Sequence, residues 1–241
     1  MMMERRILGP RLEAVASFIP AGTKVADVGT DHGLLPIWLR LHGISPAVIA
    51  SDIRSGPLEA AKRNAVKYGA DNISFRLCPG LAGIRQNEAD LVVIAGMSGE
   101  TMISILNDAD WDWRQKLLIL QANTKQPELL TWLYSNHFHM TEEKIIQEND
   151  RYYRVFCIAY SDANLPRSAF LWGGFSAGPF AVRQAKLLRS AMAGLLSSSD
   201  PADRLRLNEY QSILEDMKDA YHWCDPELFE GAGPAGNQNG F

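Results

Sequence analysis

Between residues 24 and 160 the chain alternates short, continuous apolar runs with stretches whose apolar residues recur every three or four positions. The continuous runs predict strands buried on both faces, at Lys24–Val28, Ala47–Asp52, Ile73–Arg76, Ala89–Ala95 and Lys116–Gln121. The periodic stretches between them predict helices at Leu34–Leu41, Gly56–Tyr68, Gly99–Leu106 and Pro127–Ser135. Regular alternation of this kind implies an α/β fold with a parallel sheet. Two further strands, His139–Gln147 and Tyr152–Tyr160, are split only by Glu148-Asn149-Asp150. A connection that short permits only an antiparallel hairpin.

The ends of the chain read differently. Leu8–Ile19 looks like a leading helix stopped by Pro20-Ala21-Gly22. Residues 164–178 are rich in Gly and Pro and read as a linker. Beyond them Ala181, Ala185, Leu188, Met192 and Leu195 form one heptad seam, and Leu207, Tyr210, Leu214, Met217 and Tyr221 another. The intervening Ser197–Pro201 turn offers Asp200 as a helix cap and Pro201 as a first helical residue. The expected organisation is a sheet domain over 1–163, a helical coiled-coil hairpin over 164–225 and a disordered tail over 226–241.

Composition narrows the classes. The 241 residues are 46% apolar and 22% charged, an ordinary globular mixture that can bury a core without disulfides. No apolar run approaches the ~20 residues of a membrane span, and no apolar signal segment follows Met1–Arg6. Cys78, Cys157 and Cys224 make neither a disulfide framework nor a zinc spacing, and the five histidines have no partnered ligand spacing. The expected setting is the cytoplasm, with no membrane and no metal. Net charge is −4, but residues 167–206 carry six Arg and Lys against two Asp. A local basic patch can bind a polyanion even on an acidic protein.

The chemistry concentrates in Val25-Ala26-Asp27-Val28-Gly29-Thr30-Asp31-His32-Gly33, where a strand ends, a glycine turn follows and a helix begins. Such a turn aims backbone N–H groups at a ligand. The spacing is not the G-x-G-x-x-G of dinucleotide sites, and Asp27, two residues before Gly29, would repel a pyrophosphate. It suits the cationic amino group of a methionyl moiety. Asp52 ends the second strand, where a carboxylate can accept both hydroxyls of a ribose. The two acids are either strand-end turn residues or one nucleotide site, and their repetition at successive strand ends favours the site. S-adenosylmethionine fits it better than NAD, because nothing favours a diphosphate. After the fourth strand, Ala95-Gly96-Met97-Ser98-Gly99 is either a tight loop or the place where a substrate approaches the reactive methyl. Gln121 and Asn123 end the fifth strand. A carboxamide there can accept from an adenine N6 and donate to a ring nitrogen, or Asn123 can cap the next helix.

Five βα strands closed by a hairpin form the sheet pattern of a class I methyltransferase, Rossmann-like and seven-stranded with an antiparallel last strand. The segment Val25–Pro36, Ala50–Ile53 with Gly56-Pro57-Leu58, Ile94–Met97 and Leu118–Gln121 together resemble the bacterial tRNA (adenine-22 N1)-methyltransferases. The closing Tyr152-Tyr153 strand and the C-terminal hairpin are similar too, so the resemblance spans about residues 4–220. It implies an S-adenosylmethionine-dependent enzyme that makes N1-methyladenosine in the D-loop region of tRNA. By this resemblance, Asp27, Gly29, Thr30, Asp31, His32, Gly33, Asp52, Ile53, Pro79, Gly80, Ala95, Gly96 and Met97 hold the cofactor. Ser98, Gly99, Gln121 and Asn123 face the target base. The chain departs from the family pattern at Pro79, where an Asp is usual, at Ser98, where Gly is usual, and at Ala122, where Pro is usual.

Adenine N1 is a neutral nucleophile, so orientation and exclusion of water can supply most of the rate. If a proton must leave N6, Asp31 or His32 is the nearest base, although His32 can equally be a capping or cofactor contact. Asn123 completes the catalytic set. Arg183, Lys186 and Arg189, with Arg204 and Arg206, either grip tRNA phosphates or form a solvated helix face. A methyltransferase on another RNA or small molecule, or a non-catalytic binding module, stays open at this point. The expected assembly is a monomer or weak homodimer.

Overall fold

A computed structural model describes residues 7–149, 151–161 and 178–220. The chain divides into two compact units, Met1–Asn164 and Leu165–Phe241. The first contains α1 (Pro10–Ala16), β1 (Val25–Val28), α2 (Leu34–Leu41), β2 (Val48–Asp52), α3 (Ser55–Tyr68), β3 (Ile73–Leu77), β4 (Leu91–Ser98), α4 (Gly99–Asn107), β5 (Leu117–Thr124), α5 (Gln126–Ser135), β6 (Phe138–Glu148) and β7 (Arg151–Tyr160).

The strands pair in the order β3-β2-β1-β4-β5-β7-β6, and β7 runs antiparallel to both neighbours. This is the class I methyltransferase sheet that the strand pattern predicts. Its middle strands are apolar on both faces because both faces are covered. Val25, Val93, Ile119 and Cys157 pack with Val15 of α1 and with Leu35 and Leu39 of α2. The alternate residues Ala26, Val92, Ile94, Leu118 and Leu120 are equally buried, as are Met102 and Leu106 of α4 and Leu129 and Leu133 of α5. The strand order reverses between β1 and β4, and in open α/β sheets ligands bind beyond the carboxyl ends of the strands at that point.

Most predicted elements lie within a residue or two of the observed ones. The instructive exceptions are β4 and β5, which run three residues past their predicted ends. Pairing is interrupted after Ala95 and resumes with Met97 opposite Ala122 and Ser98 opposite Thr124. A glycine that reads as a turn is thus an inserted residue within a continuing strand. The leading helix is shorter than Leu8–Ile19, starting at Pro10, yet Leu8, Phe18 and Ile19 are still buried.

In the second unit α6 (Gly178–Leu195) and α7 (Pro201–Ala220) pack on each other. Ala185, Leu188, Ile213 and Met217 are buried. Ile213 therefore takes the seam position expected for Leu214, which is half-buried. Asp200 caps α7 as expected, its Oδ1 accepting the Ala202 N–H at 2.8 Å. Of the expected linker over 164–178, Gly178 instead opens α6; the rest of it, Tyr221 and the expected tail over 226–241 lie outside the described residues. Among the described residues no helix is long and apolar enough to cross a membrane.

Gly33 fixes how the start of α2 meets α3. Its φ is +70°, and a Cβ there would stand 2.8 Å from the Ala61 Cβ of α3. A side chain would meet both left-handed strain and overpacking. Gly33→Ala should lower unfolding stability by roughly 2–4 kcal/mol, read as a drop of several degrees in the thermal midpoint; an unchanged midpoint would remove this packing constraint.

Candidate active site

A cavity of about 720 Å³ opens beyond the carboxyl ends of β1, β2 and β4. Asp27 is buried in its wall, 6% exposed in a strand whose other residues are apolar. Burial pushes its carboxyl up to about 6. The Thr30 side chain lowers it, the Asp52 charge raises it and the Arg11 charge lowers it, each by less. Beyond Asp27 the chain turns sharply, with the Gly29 and Thr30 N–H groups both donating to the Ser51 carbonyl, at 2.8 and 2.9 Å. That pair ties the turn to β2 and sets Asp52 beside it. Asp52 is also buried, and its Oδ1 accepts the Arg54 N–H at 2.8 Å. Ile53, the next residue, is exposed on the cavity wall and offers an apolar face to a flat ring.

The opposite wall is the interrupted stretch of β4. Gly96 has φ +84°, a conformation open to glycine and strained for other residues. Its carbonyl leaves the ladder and accepts Asn123 Nδ2 at 2.8 Å. Asn123 Oδ1 in turn accepts Gln121 Nε2 at 3.0 Å, and Gln121 Oε1 accepts Arg11 Nη1 at 2.7 Å. Gln121 and Asn123 share one face of β5 because strand side chains alternate. The Arg11 guanidinium lies 5.8 Å from the Tyr153 ring centre.

Asp27, Gly29, Thr30, Asp31, His32, Asp52, Ile53, Pro79, Gly80, Ala95, Gly96, Met97 and Asn123 all line the cavity. Asp31 and His32 are exposed at its mouth, with His32 Nε2 3.8 Å from Asp31 Oδ2. Four expected residues do not line it. Gly33 packs against Ala61. Ser98 caps α4 by accepting the Thr101 N–H at 3.2 Å. Gly99 is small because a Cβ there would collide with the Lys125 carbonyl. Gln121 is fully buried behind Asn123. Asn123 caps no helix: β5 runs through it and Lys125 precedes α5. In the second unit Arg183, Lys186, Arg204 and Arg206 are exposed, whereas Arg189 is half-buried with Nε and Nη2 shielded from solvent.

Arg11 is the main residue that sequence reasoning missed. It stands three residues after Leu8 and four before Val15, both buried, so it falls on the inward stripe of α1. A cation on a buried stripe needs a partner, and that signal was available. Thr101, Ser104 and Ile105 of α4 also line the cavity without a motif to announce them. Among the described residues no cluster of three His, Cys, Asp or Glu side chains could hold a metal ion.

The sheet order, with an acid pair at the ends of β1 and β2, defines a class I methyltransferase, and residues 8–156 match the methyltransferase domain family. The chain is 34% identical over 180 residues to the tRNA (adenine(22)-N(1))-methyltransferase of Bacillus subtilis (strain 168), covering 73% of this chain and 76% of that protein. It belongs to that tRNA (adenine-22 N1)-methyltransferase family. The crystal structure of the B. subtilis M1A22 tRNA methyltransferase TrmK superposes with a TM-score of 0.75 at 28% identity, covering 88% of this chain and 98% of that one. M. capricolum TrmK in complex with S-adenosyl-homocysteine gives 0.70 at 26% identity, covering 88% and 99%.

A carboxyl raised by burial opposes folding when it is ionised. For Asp27 that cost is absent below the ordinary value of 3.8, grows as pH rises and is complete above about 6. Asp27→Asn should therefore be more stable than wild type at pH 8, by roughly 2–3 kcal/mol. The gain should shrink below pH 6 and vanish near pH 4. Thermal melts across pH check this, and a gain that does not vary with pH would mean that Asp27 buries no charge.

Proposed function

We propose that the protein methylates N1 of adenine 22 in the D-loop region of tRNA, using S-adenosylmethionine in the cytoplasm as a monomer or weak homodimer. The observation that carries this reading is the meeting, in one cavity, of a buried acid pair and a carboxamide. The acids suit the cofactor and the carboxamide suits an adenine edge. Family membership supports both.

The cavity fits the cofactor on three counts. Asp27 holds a buried charge that the protein compensates only in part and that an ammonium group would neutralise. Asp52 keeps Oδ2 available for ribose hydroxyls while Oδ1 takes a backbone N–H. Pro79 and Gly80 bring backbone rather than a carboxylate to the adenine end, beside the exposed Ile53. When bound, S-adenosylmethionine supplies an electrophilic methyl on a sulfonium, which a neutral ring nitrogen can take in one displacement. Asn123 then orients the base. With its Oδ1 accepting from N6 and its Nδ2 donating to N7, the N1 lone pair stays free. N1 lies on the Watson–Crick edge, so the base must leave its pairing to enter the cavity. Asp31 and His32, exposed at the mouth, can take a proton from N6 of the methylated cation.

Unmodified tRNA incubated with protein and cofactor, then digested to nucleosides for mass analysis, tests the reading: N1-methyladenosine is expected, and a different methylated nucleoside or none would refute it. Asn123→Ala should lower turnover about tenfold or more with S-adenosylhomocysteine affinity nearly intact, because a positioning contact is felt mainly in the transition state. Equal turnover would move the base pocket elsewhere. Arg183, Lys186 and Arg189 changed together to Ala should weaken tRNA binding and flatten its salt dependence, with each lost phosphate contact reducing the slope by roughly 0.7–0.9. Filter binding across a salt series reads this directly, and an unchanged slope would place docking on the sheet domain.

A further inference from the structure

Arg11 belongs to none of the motifs that led to the site, yet it heads the site's polar chain. Arg11 Nη1 donates to Gln121 Oε1 at 2.7 Å, Gln121 Nε2 to Asn123 Oδ1 at 3.0 Å, and Asn123 Nδ2 to the Gly96 carbonyl at 2.8 Å. Neither end of this chain can reverse its polarity. A guanidinium only donates, and a backbone carbonyl only accepts. The two carboxamides between them therefore have a single order in which every contact is satisfied. Gln121 is fully buried, so water cannot replace a lost partner.

Without the Arg11 donor, Gln121 Oε1 is left buried with no partner, and only the Gly96 carbonyl, two contacts away, opposes a turn of the Gln121 amide toward another arrangement. Turned round, it would present Oε1 to Asn123, which would have to answer with Nδ2. Asn123 Oδ1 would then oppose the Gly96 carbonyl, two acceptors in contact, and the carboxamide would leave its place. In the observed order Asn123 has one N–H and one lone pair left over, on the side chain that lines the cavity.

We propose that Arg11 is a positioning residue for methyl transfer, acting through Gln121 to set which atoms of the Asn123 carboxamide meet the substrate base. This rests on the reading of Asn123 as the base contact. The guanidinium also lies over the Tyr153 ring, 5.8 Å from its centre, a cation–π contact. Helix α1 thereby becomes part of the site rather than only a cover for the sheet.

The test is a double-mutant cycle on the full-length protein with unmodified tRNA. Arg11→Met should lower kcat about tenfold or more, with the KM for tRNA within about threefold of wild type. In an Asn123→Ala background the same change should lower kcat less than about twofold further. Arg11→Lys, which restores one donor, should recover part of the loss. Gln121→Glu separates orientation from folding. It accepts from Arg11 at least as well as glutamine, but it has no N–H to give Asn123. It should lose turnover as Arg11→Met does while keeping S-adenosylhomocysteine affinity and the thermal midpoint near wild type. Wild-type turnover in Gln121→Glu would overturn the proposal, as would a full loss from Arg11→Met in the Asn123→Ala background. An Asn123→Ala enzyme as fast as wild type would instead refute the base contact itself, and the role of Arg11 with it.

Discussion

Asp27 carries a carboxylate into a largely buried place on the cavity wall, and much of the site follows from how the fold keeps it there. A buried anion is costly unless something positive faces it. Within the protein the compensation is partial. Arg11 acts at a distance, and the neighbouring Asp52 makes matters worse. The strand that delivers Asp27 lies inside the sheet, paired on both sides with β2 and β4, so its backbone is held on both edges. What the fold leaves uncompensated is a demand for a cation of limited size at a fixed point. A methionyl ammonium meets that demand; a pyrophosphate would aggravate it. Selectivity between cofactors is in this sense written into β1.

The other half of the site depends on a local break in regular structure. At Gly96 one residue is added to β4, the ladder loses a carbonyl, and the strand continues. A carbonyl left unpaired would be unfavourable, and Asn123 satisfies it. The bulge and the carboxamide are thus one device. It holds a polar side chain at the cavity rim through backbone that is itself anchored in the sheet. Support from Gln121 and Arg11 extends the device to α1. Rigid strands carry the groups that must hold an orientation, whereas Asp31 and His32 sit exposed on a turn.

The strand and helix order was legible because apolar runs and helical periods report burial directly. The acids at the ends of β1 and β2 were legible because polar residues at strand ends are informative against an apolar background. The extension of β4 and β5 was not, since a glycine inside a strand and a glycine that ends one look alike in sequence. The roles of Gly33 and Gly99 were hidden for a related reason: their neighbours, Ala61 and the Lys125 carbonyl, are distant in sequence or belong to the backbone. Gln121 and Asn123 read as two equal contacts. Only the three-dimensional order of donors and acceptors separates the buried support from the residue at the rim. Arg11 meets Gln121 across 110 residues, so that pairing has no local signature.

The central claim is that the buried Asp27 charge is completed by the cofactor's ammonium group. Calorimetry of S-adenosylhomocysteine binding at pH 6, in two buffers of different ionisation enthalpy, counts the protons exchanged. With the carboxyl near 6 in the free protein, Asp27 is about half protonated and must give up its proton to pair with the ammonium. The account predicts release of about half a proton per ligand for wild type and none for Asp27→Asn. Binding of wild type with no proton release, or the same release from Asp27→Asn, would contradict it.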